Sequence, residues 1–169
     1  MRRRAAFTLV ELMIVVAIVG LLAGMAIPNF VRFQLKSKTS EAKINLSAIR
    51  VVEESYNAEW GTYASAAPAP AVVPGRNKAA FASLDFDELG WAPVGDVFFA
   101  YSVAVSADGA GFTAEAVGDV DGDLVPQRWG YAKADRSGAI VAGVQGCNVA
   151  ALSPDVIGPC DPLYGQSIY

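Results

Sequence analysis

The side-chain types that most often carry chemistry in proteins are sparse in this sequence. The chain has 169 residues and no His, which removes the commonest general base and a frequent metal ligand. Its two Cys, Cys147 and Cys160, lie near the C-terminus and far from any obvious base. Because a nucleophile and its activating base have no evident members here, we expect the protein not to be an enzyme.

One carboxylate has an unusual position, because Glu11 lies inside a long apolar run. From Phe7 to Ile27 only Thr8 and Glu11 are polar. As a helix this run would span about 31 Å at roughly 1.5 Å per residue, which matches the hydrocarbon core of a membrane. A charge at that depth costs about 2 to 3 kcal/mol on insertion scales, so Glu11 is by default a functional residue in need of a partner. The alternative is a side chain that merely reaches the headgroup boundary.

Three aspartates alternate in the segment GDVDGD, as they do in the first half of a calcium loop. They are Asp119, Asp121 and Asp123. A calcium loop of the EF-hand type needs Gly at its sixth position and an acid at its twelfth, where this chain has Leu124 and Gly130. We therefore predict a turn here, no metal site and no cofactor; calcium bound by the three carboxylates is the alternative.

The charge distribution predicts an orientation in the membrane. Arg2, Arg3 and Arg4 precede the apolar run, and the next basic residue is Arg32. Basic residues on one side keep that side in the cytoplasm, so the rest of the chain is expected to be translocated. The formal net charge is -4, which argues against nucleic-acid binding.

In that orientation the two Cys are expected to lie in an oxidising compartment. A disulfide between Cys147 and Cys160 would then close a loop worth about 3 kcal/mol in the chain-entropy model. Free structural thiols remain the alternative.

A single long helix is the element that must position Glu11. The apolar pattern continues at helical spacing beyond the membrane-length run, with polar residues between, and predicts a helix from Phe7 to Trp60 that ends at Gly61. Gly20 and Pro28 weaken such a helix, so we expect it to kink or loosen between them.

The remainder of the chain predicts a small α+β unit. An Ala- and Pro-rich stretch at 62–75 indicates a surface loop, and a short helix or turn follows, anchored in the core by Phe81, Leu84, Phe86, Leu89 and Trp91. The period then changes to two, and four strand-like segments joined by Asp/Gly turns predict an antiparallel meander. They are VFFAYSVAVS, FTAEAVG, LVPQRWGYAKA and AIVAGV.

The N-terminal constellation FTLVELMIVVAIVGLLAGMAIPNF, behind a short basic leader, resembles the N-terminus of type IV pilins, in particular type IVa major pilins, and of type II secretion pseudopilins. In that family a prepilin peptidase cuts before the Phe and methylates the new amine. The resemblance therefore implies cleavage between Ala6 and Phe7 and N-methylation of Phe7. Ala6 stands where the family normally has Gly.

The resemblance also implies roles for the other residues. Glu11 would pair with the new Phe7 amine of a neighbouring copy and so steer assembly. Gly20 and Pro28 would mark where the helix unwinds in the filament, and Cys147 and Cys160 would bound a disulfide-closed D-region.

The implied protein is a structural subunit that polymerises with itself into a surface filament for motility, adhesion or DNA uptake. It would begin as a single-pass inner-membrane precursor and depend on the prepilin peptidase, a platform protein and an assembly ATPase. A type II secretion pseudopilin or minor pilin is the alternative, and a membrane-anchored binding module is a more distant one.

The expected fold is α+β, with a long N-terminal α-helix whose apolar half protrudes and whose second half packs on a four-stranded antiparallel sheet. Its expected segments are a leader at 1–6, a membrane or filament-core half-helix at 7–28, an amphipathic half at 29–61, a loop at 62–96, the sheet at 97–146 and a C-terminal D-region at 147–169.

Overall fold

The computed structural model describes residues 7–161, which divide into two compact units between Lys36 and Ser37. Ala6 and the last part of the expected D-region lie outside the described residues. The helices and strands follow in the order α1 Leu9–Trp60, β1 Ala66–Ala69, α2 Leu84–Leu89, β2 Ala100–Val105, β3 Phe112–Gly118, β4 Gln127–Lys133, a 3-10 turn at Val149–Ala151, and β5 Gly158–Pro159.

Helix α1 confirms the long helix that the sequence predicts. Its end is set by Gly61, whose φ of 74° is a left-handed conformation that Gly adopts without strain. The Gly61 N–H donates to the Asn57 carbonyl at 2.8 Å and closes the last turn. In the second unit the buried residues of α1 recur every three or four positions, as one stripe facing a core; they are Thr39, Ala42, Leu46, Ile49 and Glu53.

Alternate residues of β4 contact residues of α1 that follow one another in the same order along the helix. Their contacts are Thr39 Oγ1 to Gln127 Oε1 at 3.1 Å, Lys43 Nζ 4.2 Å from the Trp129 ring centroid, Arg50 5.3 Å from the Tyr131 ring centroid, and Lys133 Nζ to Glu54 Oε1 at 2.5 Å. From the first contact to the last, the helix rises about 22 Å and the strand about 20 Å. The near equality lets helix and strand run side by side in the same direction over the whole contact.

The sheet has five antiparallel strands in the order β1-β2-β3-β4-β5, so the α+β fold is confirmed but the count of four strands was wrong. Strands β2, β3 and β4 correspond to three of the predicted segments and pair without a break. The fourth predicted segment, AIVAGV, contains no strand, whereas β1 and β5 extend the two sides of the sheet.

Strands β1 and β5 were missed because neither shows the alternation of apolar and polar residues from which strands are predicted. Strand β1 reads AAPA, and its Pro68 is acceptable only because an edge strand can leave one N–H position unused. Strand β5 is two residues long. The segment AIVAGV instead crosses the sheet as a loop, where the Val141 carbonyl accepts a hydrogen bond from Thr113 Oγ1 at 2.7 Å.

The short helix α2 confirms one prediction and corrects another. Ser83 caps its start by accepting a hydrogen bond from the Phe86 N–H at 3.4 Å, and Gly90 ends it at φ 81°. Phe86 and Trp91 are buried and their rings lie 5.1 Å apart. Leu84, expected as a core anchor, is 80% exposed because it occupies the outward side of the first turn.

Glu53, near the C-terminal end of α1, carries a carboxylate that is buried with no solvent exposure. Its Oε2 accepts a hydrogen bond from the Ala64 N–H at 3.1 Å, whereas Oε1 has no hydrogen-bond partner within the described part of the chain. Burial, helped by the negative charge of Glu54 and opposed by the Ala64 N–H, raises the pKa of Glu53 to about 7. Between the ordinary pKa of 4.5 and the raised pKa of about 7, the folded chain therefore retains a proton here that the unfolded chain releases.

Candidate assembly site

The first turn of α1 forms a capping box between Thr8 and Glu11. Glu11 Oε2 accepts hydrogen bonds from the Thr8 N–H at 2.9 Å and from Thr8 Oγ1 at 2.7 Å, and Thr8 Oγ1 accepts one from the Glu11 N–H at 3.2 Å. Two otherwise unpaired backbone donors of the helix start are satisfied in this way. Glu11 thus has partners inside its own helix, which the sequence analysis did not foresee, although the Thr-x-x-Glu spacing is the signal for them.

The apolar half of α1 exposes nearly all of its surface. Its most apolar stretch is long enough to cross a membrane by length and composition, and none of it is buried. The large apolar side chains concerned are each 47% exposed or more; they are Phe7, Leu9, Val10, Leu12, Met13, Ile14, Val15, Val16, Ile18, Val19, Leu21, Leu22, Met25, Ile27, Phe30, Val31 and Phe33. An apolar surface this extensive marks a membrane or protein contact.

Gly20 and Pro28 lie inside α1, and the helical assignment continues through both positions. A Cβ added at Gly20 would meet nothing within 4 Å. Packing within the first unit therefore does not require Gly20, and the loosening expected between these two residues stays a prediction.

Cys147 and Cys160 form a disulfide, with Cα atoms 4.8 Å apart, which confirms that pairing. The bridge lies over the face of the sheet that α1 does not cover, directly above Gly130 of β4. A Cβ at Gly130 would come within 2.9 Å of the Cys147 sulfur and 3.0 Å of the Cys160 sulfur. Gly130 is therefore required so that the disulfide can approach the strand.

Glu115 of β3 holds the start of this loop on the sheet. It is fully buried, and its carboxylate accepts hydrogen bonds from the Gln145 N–H at 2.6 Å, the Cys147 N–H at 2.7 Å and Ser102 Oγ at 3.2 Å. Gly143 passes so close to this carboxylate that any side chain there would collide with it. Sequence reasoning missed Glu115 and Gly143, because only the fold brings them together.

The Asp119 carboxylate organises the loop between β3 and β4. It accepts hydrogen bonds from the N–H groups of Gly122, Asp123 and Leu124 at 2.8, 3.2 and 3.1 Å. Oxygen atoms of Asp119, Asp121 and Asp123 lie within 4.8 Å of one another, so the three carboxylates do converge. These three hydrogen bonds are typical of an aspartate that organises a turn.

Comparisons with known proteins agree with this picture. Residues 1–27 match the family model described as the prokaryotic N-terminal methylation motif. The chain is 40% identical over 105 residues to the type IV major pilin protein PilA of Myxococcus xanthus (strain DK1622), covering 62% of this chain and 39% of that protein. It is 42% identical over 55 residues to a fimbrial protein of Pseudomonas aeruginosa, covering 32% of this chain and 36% of that protein.

A further relative is similar over a longer share of its length. The fimbrial protein EcpB of Eikenella corrodens is 30% identical over 110 residues, covering 64% of this chain and 65% of that protein. Of the first two relatives, the chain spans less than two-fifths of the length. No solved structure gives a significant match. The chain, with its long apolar helix, antiparallel sheet and C-terminal disulfide, is therefore similar over part of its length to proteins named as a type IV major pilin and as fimbrial proteins.

Proposed function

We propose that the chain is a structural subunit of a type IV pilus, made as a membrane-anchored precursor and polymerised through α1 into a surface filament. The observation that carries the proposal is the exposed apolar half of α1, attached to a folded unit and headed by the methylation motif. A helix that is apolar on all sides is stable in lipid and equally stable in a bundle of its own copies.

Processing creates the group that assembly uses. A prepilin peptidase cuts between Ala6 and Phe7 and methylates the Phe7 amine. Ala6 is the next smallest residue after the Gly of related precursors, so the site stays sterically accessible. In the inner membrane the precursor crosses once, with its N-terminus and the three leader arginines in the cytoplasm.

Glu11 gains a second partner during assembly in this proposal. In the precursor its carboxylate is satisfied by the capping box with Thr8. After cleavage, a neighbouring copy offers a positive amine, and its full charge adds an ion pair to the hydrogen bonds that the Glu11 carboxylate accepts from Thr8. Neutralising both charges inside a low-dielectric core then favours the correct stagger between copies.

Extraction from the membrane is driven by a platform protein and a cytoplasmic ATPase. Gly20 and Pro28 are the positions at which α1 loosens once it is packed in the filament, since each weakens the helix locally.

The sequence similarity to proteins named as pilins and fimbrial proteins favours a pilus subunit over a type II secretion pseudopilin.

A calcium titration separates these two alternatives further. The pseudopilin alternative places a structural calcium ion in the globular part, so millimolar calcium would raise its melting temperature. For a pilus subunit whose Asp119 loop is held by its own backbone contacts, we expect no change in melting temperature with calcium or a chelator. A calcium-dependent shift would favour the pseudopilin.

The proposal is tested by mass spectrometry of filaments sheared from cells that express the chain. We expect an abundant species that begins at Phe7 with a methylated amine and contains the Cys147–Cys160 disulfide. A chain that is found only in the inner membrane, with Met1 intact, would contradict it. Turnover of any substrate by the purified chain would instead favour an enzyme carried on a membrane anchor.

A further inference from the structure

A surface groove of about 430 Å³ lies within the second unit, between α1 and the segment that precedes β2. Its walls combine exposed aliphatic side chains, Ile44 and Val94, with two carboxylates, Glu41 and Asp96. Apolar walls with a few convergent polar groups are typical of a binding site.

The two carboxylates of the groove differ in how far they are neutralised. Glu41 Oε1 accepts a hydrogen bond from the Phe98 N–H at 2.7 Å, and Glu41 Oε2 lies 3.5 Å from Lys78 Nζ. Asp96 is exposed and makes no hydrogen bond or ion pair with any residue that the structure describes. The groove therefore presents one unneutralised negative charge beside uncovered aliphatic groups, which suits a segment that combines a cation with an apolar side chain.

The chain itself contains such a segment at the end of its apolar half-helix. Arg32 is exposed and, among the residues at 7–161, has no hydrogen bond, ion pair or ring contact. Phe33, next to it, is 68% exposed. Neighbouring helical residues project about 100° apart, so both side chains can reach one surface. By contrast, the basic side chains Lys38, Lys43, Arg50 and Lys78 already lie over aromatic rings of the second unit.

We propose that this groove binds Arg32 and Phe33 of a second copy of the chain. Asp96 pairs with the Arg32 guanidinium, whose fork of donors matches a carboxylate, and the aliphatic wall covers Phe33. The inference rests on the proposed function, because polymerisation is what brings another copy to the groove. Since Arg32 and Phe33 directly continue the apolar surface that a filament buries, this contact extends the helix interface onto the folded unit.

A charge exchange tests the pairing in cells. Arg32→Glu and Asp96→Arg each place like charges in contact, so each lowers the yield of sheared filaments by about tenfold. The double variant restores the opposite charges and returns the yield to within about threefold of the unmodified chain. Glu88→Arg reverses an exposed carboxylate on α2 that does not line the groove, and it leaves the yield unchanged. Leader cleavage and membrane level are measured in every variant and stay constant.

A cross-link tests the geometry independently of yield. One copy carries Phe33→Cys and a co-expressed copy carries Val94→Cys, and mild oxidation of the filaments gives a disulfide-linked dimer. Val72→Cys, exposed but outside the groove, replaces Val94→Cys as the control and gives none. Normal filaments with neither rescue nor cross-link would overturn the groove contact and leave the proposed function standing. Absence of filaments from the unmodified chain would overturn the proposed function itself.

Discussion

The helical unit that ends at Lys36 and the folded unit that begins at Ser37 provide hydrogen-bond donors to their carboxylates in different ways. Glu11 takes its hydrogen bonds from Thr8, three residues away in the same turn. Glu115 takes its hydrogen bonds from Ser102 and Cys147, which are 13 and 32 residues away. The first arrangement follows from local spacing and needs no fold, whereas the second exists only after the sheet and the C-terminal loop have come together.

The two regions also differ in where their apolar surface goes. The first unit leaves its apolar side chains uncovered, and the second buries both faces of its central strand, since every residue of β3 is buried. An uncovered apolar helix depends on an environment supplied from outside, namely lipid or other copies. The following substitutions distinguish contacts between residues close in sequence from contacts that exist only in the folded chain.

The largest effect is expected from Glu115→Ala. It leaves the N–H groups of Gln145 and Cys147 without their acceptor, so we expect the free energy of unfolding to fall by about 3 to 5 kcal/mol. Urea unfolding of the full chain in detergent, followed by fluorescence of the buried Trp91 and Trp129, measures it. Glu115→Gln keeps one acceptor oxygen and costs less. A Glu115→Ala variant within about 1 kcal/mol of the unmodified chain would contradict the role given to this carboxylate.

Glu53→Gln is expected to have the next largest effect, and its effect depends on pH. Because the pKa of Glu53 is raised from 4.5 to about 7, the folded state binds more protons than the unfolded state between these values. The free energy of unfolding therefore falls as pH rises through that window. The variant loses this slope and is more stable at pH ~8 by about 2 kcal/mol.

The control for this pH dependence is Glu54→Gln. It removes the ion pair between Glu54 and Lys133 but leaves the buried carboxylate of Glu53 in place. Its urea unfolding should keep most of the downward slope of the unmodified chain, because burial, and not the charge of Glu54, is the main cause of the raised pKa of Glu53. A flat profile for the unmodified chain across the same pH window would show that Glu53 ionises freely in the folded state.

Glycine substitutions compare the two regions directly. Gly130→Ala forces a methyl group against the disulfide, so we expect a loss of about 1 to 3 kcal/mol. Gly24→Ala, in the apolar half of α1, meets nothing within 4 Å and should not destabilise the helix. Thermal unfolding of both variants measures the two effects. Equal losses of stability would mean that contact with the disulfide is not the reason why residue 130 is Gly.

Thr8→Val should have the smallest effect, because it removes one hydroxyl from an exposed helix start. Loss of the capping box costs about 1 kcal/mol, which corresponds to about fivefold faster hydrogen exchange at the Glu11 amide. Exchange in detergent micelles measures this. Thr8→Ser keeps the hydroxyl, so its Glu11 amide should exchange at the rate of the unmodified chain. An unchanged exchange rate in Thr8→Val would show that the capping box does not stabilise the start of α1.

Much of the fold is readable from local sequence, and the residues show why. The apolar run, the stripe on α1 and the alternation in β2 to β4 are repeated patterns, and each was predicted. The Thr-x-x-Glu spacing of the capping box was equally available, yet the prediction for Glu11 placed its partner only in another copy.

The remaining features depend on contacts between distant residues. Strand β1 has the composition of a loop, and it is a strand because the edge of β2 offers it hydrogen bonds. The need for Gly at 130 and 143 comes from a disulfide and a carboxylate that approach from elsewhere in the chain. Leu84 follows an apolar pattern but lies outside the core, because the cap at Ser83 fixes which side of α2 faces inward.

The role of Glu11 in assembly is tested most directly by Glu11→Ala, compared with the unmodified chain in the same cells. The mass of the processed N-terminus and the yield of sheared filaments are measured together. We expect normal cleavage before Phe7, a normal amount of subunit in the membrane and a yield of filaments reduced by at least about tenfold, because the methylated amine of the next copy loses its carboxylate. A normal filament yield from correctly processed Glu11→Ala subunits would contradict the pairing.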